Sequence, residues 1–411
     1  LSRPSNPRAA GRPSSTGRTS SRRRKLPATD VGERNAAALT AVFVVLALFG
    51  LVMVLSASSV TSMHQVADSP FYQFSRQAMW AGIGVAAFVV ATRLDYRILR
   101  RLAGPLLLLT LVLLVVVLIP GVGVSVNGST RWLGVGTFVV QPSELAKLSL
   151  IIFVADLLAK RERRMDRPEL TVRPVMLVLL AVSGLIVLQP KLGTPIVLAA
   201  VAWLMLFVAG AKLSSLVTWA SGLAASGAVL AVAVSYRQDR LTSFLDPWAD
   251  PQGDGFQIIQ SQVGIASGGI WGVGLGASRA KWGFLPEAHS DFIFAIVAEE
   301  VGMMGASAVI AAFVLIAFFG VRAALGAPDR FGMLLAAGIT IWLVFQAFLN
   351  IAIVLGVLPT TGEPLPFVSA GGSSLVTTLA AAGLLVGVAR RATEPSSPSS
   401  STRSRKAGQP A

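Results

Sequence analysis

Ten stretches of this chain are apolar and long enough to cross a bilayer, and that repetition constrains the fold more than any single motif. The first is Ala37 to Val60; the others lie at about 77–92, 102–120, 142–159, 174–189, 194–210, 214–235, 291–320, 332–356 and 373–389. A membrane-spanning helix needs roughly 20 predominantly apolar residues. The composition agrees: 54% of residues are hydrophobic and only 13% charged, against about 25% charged in soluble domains. The expected fold is all-α, a polytopic membrane protein of about ten transmembrane helices.

Charge placement sets the expected orientation. The formal net charge is +15, carried by 35 Lys and Arg. Most lie in the two tails and in the connections near 93–101, 160–173, 211–213 and 321–331, which the positive-inside tendency assigns to the cytoplasm. Ten spans put both termini on that side, and a basic balance located this way calls for no nucleic acid. The expected organisation is a basic tail over 1–36 too poor in apolar residues to fold, a transmembrane domain over 37–391, and a second disordered tail over 392–411. The long connection at about 236–290 then lies outside. Its aromatic content predicts a folded loop, with a half-helix over 256–267 whose apolar side is Phe256, Ile259 and Val263.

Several chemistries are excluded. The chain has no cysteine, hence no thiolate nucleophile or cysteine metal site. It has no GxxxxGK[ST] loop, and Gly272, Gly274 and Gly276 follow no strand, so neither nucleotide fingerprint applies. His64 and His289 are too far apart for a zincin motif. Charges inside spans mark function by default. Glu144 and Lys147 share a helix face at the outer start of the fourth span; Glu299 and Glu300 lie inside the eighth. Both pairs also suit plain structural roles. Arg131, Lys191, Arg237, Arg240, Arg279 and Lys281 fall on the outer face against the positive-inside tendency. With Lys147 they suit an anion such as a lipid pyrophosphate. Asp291 stands at the mouth of an apolar helix, where it reads either as a helix-start residue favoured by the dipole or as a general base at the bilayer edge.

The motif FLPEAHSDFIFAIVAEEVG at 284–302 resembles the signature of the SEDS family, the FtsW, RodA and SpoVE polymerases of bacterial cell walls. Arg131-Trp132, the run from Gln141 to Lys147, Gln260-Ser261, Gly274-Leu275-Gly276 and the segment from Thr361 to Ser374 add to the likeness in the same order. The run GLGASRAKWGFLPEAH is closer to the FtsW branch, for division. The resemblance implies peptidoglycan glycosyltransfer from lipid II, with inversion to a β-1,4 link, at the cytoplasmic membrane and its division septum. It implies catalysis at Asp291 and substrate contacts at Arg131, Trp132, Glu144, Lys147, Gln260, Ser261, Arg279, Lys281, Glu287, His289 and Ser290. It implies a class B penicillin-binding transpeptidase and other division proteins as partners, beside lipid II and the lipid-linked glycan. No metal motif is visible; a divalent cation, magnesium or manganese, stays open. Three positions depart from the family pattern: Lys191 where QPDLGT has Asp, Glu363 where an apolar residue is common, and Ala370 where Tyr or Ser is common. A lipid II flippase or a non-catalytic division scaffold would also suit ten helices with buried charges. The concentration of chemistry at the outer end favours the enzyme.

Overall fold

The computed structural model describes residues 28–63, 69–126, 129–135, 138–189, 191, 193–232, 235–253 and 255–392. In chain order they form α1 (Ala28–Thr61), α2 (Tyr72–Arg93), α3 (Ile98–Val117), β1 (Val124–Val126), β2 (Ser129–Val135), β3 (Phe138–Val140), α4 (Pro142–Lys160), α5 (Val172–Val187), α6 (Gly193–Ala209), α7 (Leu213–Val232), α8 (Ser235–Leu245), α9 (Phe256–Gly268), α10 (Ile293–Leu325), α11 (Arg330–Val354) and α12 (Gly372–Arg390). Each of the ten predicted spans is a helix, and α8 and α9 lie in the long connection. α1 begins at Ala28, inside the stretch read as a tail; the rest of both tails lies outside the described residues.

Helical spacing of apolar residues builds the bundle. α3 buries Leu99, Ala103, Leu107, Thr110, Leu114 and Val117, and α5 buries Val172, Val175, Met176, Leu179, Val182 and Ile186. Both are one-sided sets at intervals of three and four. Their other faces expose Leu108, Leu109, Val112, Leu177 and Leu180, as helices bordered by lipid do. α11 and α12 are different: 72% of their spanning windows is buried, against 28–33% in α1, α2, α3 and α10. These two form the centre. Six helices are long and apolar enough to cross a membrane on length and composition alone, namely α1, α2, α3, α10, α11 and α12. α5, α6 and the apolar part of α7 are shorter. α4 carries Glu144, Lys147, Asp156 and Lys160, so its hydropathy is interrupted although it lies against α3, α6 and α11.

Two features were not anticipated. The first outer connection holds a small antiparallel sheet in the order β1-β2-β3. Ser373 pins it to α12, accepting from the Gln141 amide at 3.0 Å and donating to the Val139 carbonyl at 3.2 Å. The second is a break in α10 at Gly302, whose φ of 72° and ψ of −171° leave the helix. A broken helix frees backbone groups that lipid cannot satisfy. Here the segment after α9 satisfies them: the Val273 and Gly274 amides donate to the Glu299 and Glu300 carbonyls at 2.9 and 3.1 Å. The Met303 and Met304 amides donate to Gly269 and Ile270 at 2.9 and 3.3 Å. The contact requires glycine, since a Cβ on Gly272 would stand 2.2 Å from the Glu300 carbonyl oxygen. The glycines that mimic a nucleotide fingerprint thus bind one half of the outer connection to the broken helix.

α9 forms where the sequence predicts, but its buried face is Ile258, Ile259, Ser261, Gly264 and Gly268, while Val263 is exposed. Small residues join Ile258 and Ile259 in the contact. A Cβ on Gly268 would stand 2.0 Å from the Ala298 carbonyl oxygen of α10, the close backbone approach that small residues permit between membrane helices.

Orientation is testable on a background without native cysteine. In intact cells, Arg163→Cys in the α4–α5 connection is expected to be shielded from an impermeant thiol reagent, and Asp250→Cys in the long connection to react. Both positions are exposed. Labelling of the first without the second would reverse the topology.

Candidate active site

The turn 284–292 places Asp291. Glu287 adopts a left-handed φ of 55°, and its carbonyl accepts from the amides of Ser290 at 3.1 Å and Phe292 at 3.3 Å. The chain therefore doubles back just before α10. Ser290 does not cap that helix; its hydroxyl donates to Glu287 Oε2 at 2.7 Å. The N-cap is Phe292, with no side-chain hydrogen bond. Capping thus accounts for neither Ser290 nor Asp291.

The turn is held from two sides. Ser369 donates to the Ser290 carbonyl at 2.6 Å, and the Ala370 amide donates to the His289 carbonyl at 2.9 Å. From α11, Asn350 Nδ2 donates to the Asp291 carbonyl at 2.7 Å and to the Glu363 carbonyl at 2.8 Å. One amide group thereby joins the two backbones. The Asp291 carboxylate itself accepts no hydrogen bond from a described residue. It lines a cavity of about 90 Å³ with Arg240, Gln257, Glu287, Phe292, Asn350, Ile353, Thr360, Gly362 and Glu363. The residue is half-buried, with protein packed closely around its carboxylate. That burial, reinforced by Glu287 and opposed by Lys191, pushes its pKa up to about 6. Burial also pushes the His289 imidazole below its ordinary value, against the pull of Glu287.

Beside this cavity lies a buried ring of four charges. Lys147 Nζ is 2.9 Å from Glu144 and 3.2 Å from Glu363. It also donates to Gln346 Oε1 at 3.0 Å and lies over the Trp342 ring. Lys191 Nζ is 3.5 Å from Glu144 and 3.2 Å from Glu363. Burial alone would push the Glu363 carboxyl up; Lys147 and Lys191 overcome it and bring it to about 2. Two of the three departures from the family pattern therefore meet as one ion pair.

The remaining predicted site residues divide. Arg131, on β2, donates to the Gln189 carbonyl and to Ser129, each at 3.0 Å, fastening the sheet beside Lys191. Trp132 pairs with Val124 across the sheet. Ser261 donates to the Val354 carbonyl at 2.7 Å, a helix-to-helix tie, and Gln260 is half-buried on α9. Lys281 is buried, donating to the Gly276 carbonyl at 2.6 Å and lying 3.5 Å from Glu300. Glu300 also accepts from Ser56 at 2.6 Å. Glu299 accepts from the Arg279 amide at 2.8 Å and from the Ser278 hydroxyl. The carboxylates inside the eighth span thus anchor the outer connection. The Arg279 side chain is exposed, and that of Arg237 lies outside the described residues, as does His64. Of the predicted substrate contacts only Glu287 lines the cavity with Asp291. Sequence reasoning missed Asn350 and Thr360 there; Arg240, read among the outer cations, donates to the Thr360 carbonyl at 3.0 Å, and Gln257, read as a polar contact of the half-helix, joins the lining. Among the described residues no three His, Asp or Glu group as metal ligands.

Comparison with known proteins agrees with this architecture. The profile of a family described as cell cycle protein, grouping FtsW, RodA and SpoVE, matches residues 36–394. Stage V sporulation protein E of Bacillus subtilis is 42% identical over 353 residues, 86% of this chain and 96% of that protein. The probable peptidoglycan glycosyltransferase FtsW of Geobacter metallireducens is 43% identical over 348 residues, 85% and 92% respectively. A solved chain described under structural coordination of polymerization and crosslinking by a peptidoglycan synthase complex superimposes with a TM-score of 0.68 at 32% identity, covering 86% of this chain and 96% of that one. The rod shape determining protein RodA of Thermus thermophilus gives a TM-score of 0.62 at 30% identity, covering 86% and 95%. With a profile that covers nearly the whole helical bundle and relatives alike along their full length, the chain belongs to the FtsW, RodA and SpoVE family of multi-pass membrane proteins.

Proposed function

We propose that this protein is a peptidoglycan glycosyltransferase that polymerises lipid II at the division septum, with Asp291 as general base. The observation that carries this reading is the Asp291 carboxylate: raised in basicity, accepting no hydrogen bond from the described residues, and lining a cavity at the mouth of α10 with a cation, Arg240, in the same wall. Asp291 takes the proton from the acceptor's 4-hydroxyl as that oxygen attacks the anomeric carbon of the lipid-linked donor. The bond to the pyrophosphate breaks as the glycosidic bond forms, so an α-linked donor gives a β-1,4 product. A pKa of about 6 leaves the carboxylate ionised at neutral pH yet more basic than an ordinary aspartate. Arg240 is the cavity's own candidate for stabilising the leaving pyrophosphate, through charge-assisted hydrogen bonds. Lys147 and Lys191 are engaged by carboxylates, and Lys281 by Glu300 and a backbone carbonyl. The energy comes from the pyrophosphate bond, which needs no ATP site.

The fold relationship to a synthase complex that couples polymerisation to crosslinking supports a partner of that kind; we assign that role to a class B penicillin-binding transpeptidase. The test is polymerisation of labelled lipid II by the purified protein, alone and with that partner. Glycan made only by preparations containing this chain supports the reading. Lipid II moved across vesicles without polymer would favour the flippase, and neither activity would favour the scaffold.

A further inference from the structure

The base reading leaves Lys191 and Glu363 unused, two of the three positions that depart from the motif this chain resembles. Neither is a surface pair: their relative exposures are 5% and 1%. Three observations connect Glu363 to Asp291, and Lys191 is joined to it through Glu363. Glu363 lines the same cavity as Asp291. Asn350 Nδ2 bonds both the Asp291 and the Glu363 carbonyls. The preceding residue, Gly362, lies so near the carboxylate that a Cβ built on it would stand 3.5 Å from Asp291 Oδ2. Glu363 is itself fixed by Lys191, by Lys147 and by a hydrogen bond from Thr194.

We propose that Lys191 and Glu363 are positioning residues for Asp291: an opposed pair of buried charges that fixes the segment against its carboxylate and balances the field upon it. Resting on the base assignment above, the proposal adds what governs that base in this chain. The cation favours the ionised form of Asp291, and the Glu363 carboxylate opposes it. The other charged or titratable groups facing Asp291 are Glu287 and His289 on its own turn and Arg240 on α8. α9 contributes neutral Gln257, and α11 neutral Asn350. Because Lys191 and Glu363 carry opposite signs, their removal has opposite consequences, which no purely structural role predicts.

The experiment is the pH dependence of lipid II polymerisation by the full-length protein with its partner. The active form is the ionised base, so the rate climbs with pH through the Asp291 pKa. Lys191→Met raises that pKa and moves the acid limb to higher pH. Glu363→Gln lowers it and moves the limb to lower pH. Each shift is expected to be about one pH unit for a charge removed at this range in protein. Lys191→Arg and Glu363→Asp keep the charges and keep the limb in place. Each neutral variant retains a partner for the charge it leaves, Lys147 for Glu363 and Glu144 for Lys191, so each is expected to lose stability yet fold, and its thermal midpoint is measured beside its rate. Opposite shifts, with none in the conservative variants, support the proposal. Equal shifts, shifts of one sign, or a uniform loss of rate at every pH overturn it. Asp291→Asn, assayed in parallel, separates the two claims. If it stays active, the base assignment fails; if it is inactive while the limbs do not move, only the role of the pair fails.

Discussion

Asp291→Asn makes glycan from lipid II about 10²–10⁴-fold more slowly than the parent protein, the usual contribution of general base catalysis. The substitution is nearly isosteric, and the bond from Asn350 goes to the backbone carbonyl, so the turn keeps its shape. Membrane level and thermal midpoint should match the parent. The residual rate should also lack the rise through about pH 6 expected of the parent, because the group responsible is gone. Glu287→Gln is the informative companion. Its carboxylate lies on the same turn but is exposed and engaged with Ser290; it raises the Asp291 pKa without being the base. It should retain substantial activity with its acid limb at lower pH. Near-parental synthesis by Asp291→Asn would end the catalytic assignment.

Lys191→Asp, which restores the residue common in the family, is expected to be among the most damaging single changes. It places a third carboxylate beside Glu144 and Glu363, with only Lys147 to oppose them. Breaking a buried ion pair from one side costs about 3–5 kcal/mol, enough to remove much of a protein's folded population. Glu363→Leu alone errs in the other direction, leaving two buried cations on Glu144. The two together leave Glu144, Lys147 and an aspartate at 191, with one carboxylate fewer around Lys147, and should be more stable than Lys191→Asp alone. Thermal melting of the four proteins in one detergent measures this coupling. Strict additivity of the two losses would show that the ring is not one unit.

Much of this was legible because membrane helices announce themselves. A run of apolar residues gives a helix its place, and a bundle of such runs leaves few choices of topology. Asp291 was legible because an acid before the run at 292–297 has no apolar reason to be there. What escaped was set by long-range contact. Asn350 and Thr360 reach Asp291 from beyond α10, and nothing in their own neighbourhoods marks them. The meeting of Lys191 with Glu363 is a tertiary event, visible beforehand only as two unrelated departures. The Gly302 break was hidden because Glu299 and Glu300 just before it read as charges within one continuous span, and a lone glycine in an apolar run marks no break. The face of α9 was misassigned because in a membrane protein size does not track burial: Gly264 and Gly268 face protein, while Val263 does not.

The break in α10 also has a mechanical consequence. A cavity of about 90 Å³ is far below the roughly 300–1,000 Å³ of ordinary small-molecule sites, so a lipid-linked disaccharide enters only if a wall withdraws. The wall made by α9 and α10 is unsuited to that. Separating it would strip the backbone bonds between 269–274 and 299–304 in surroundings with little water to replace them. The wall made by α8 holds Arg240, which donates to the Thr360 carbonyl. α8 follows α7, whose residues 221–229 are exposed apart from Leu223. The site is thus bounded on one side by a wall that backbone hydrogen bonds hold shut, and the Asp291 carboxylate is mounted beside that fixed wall.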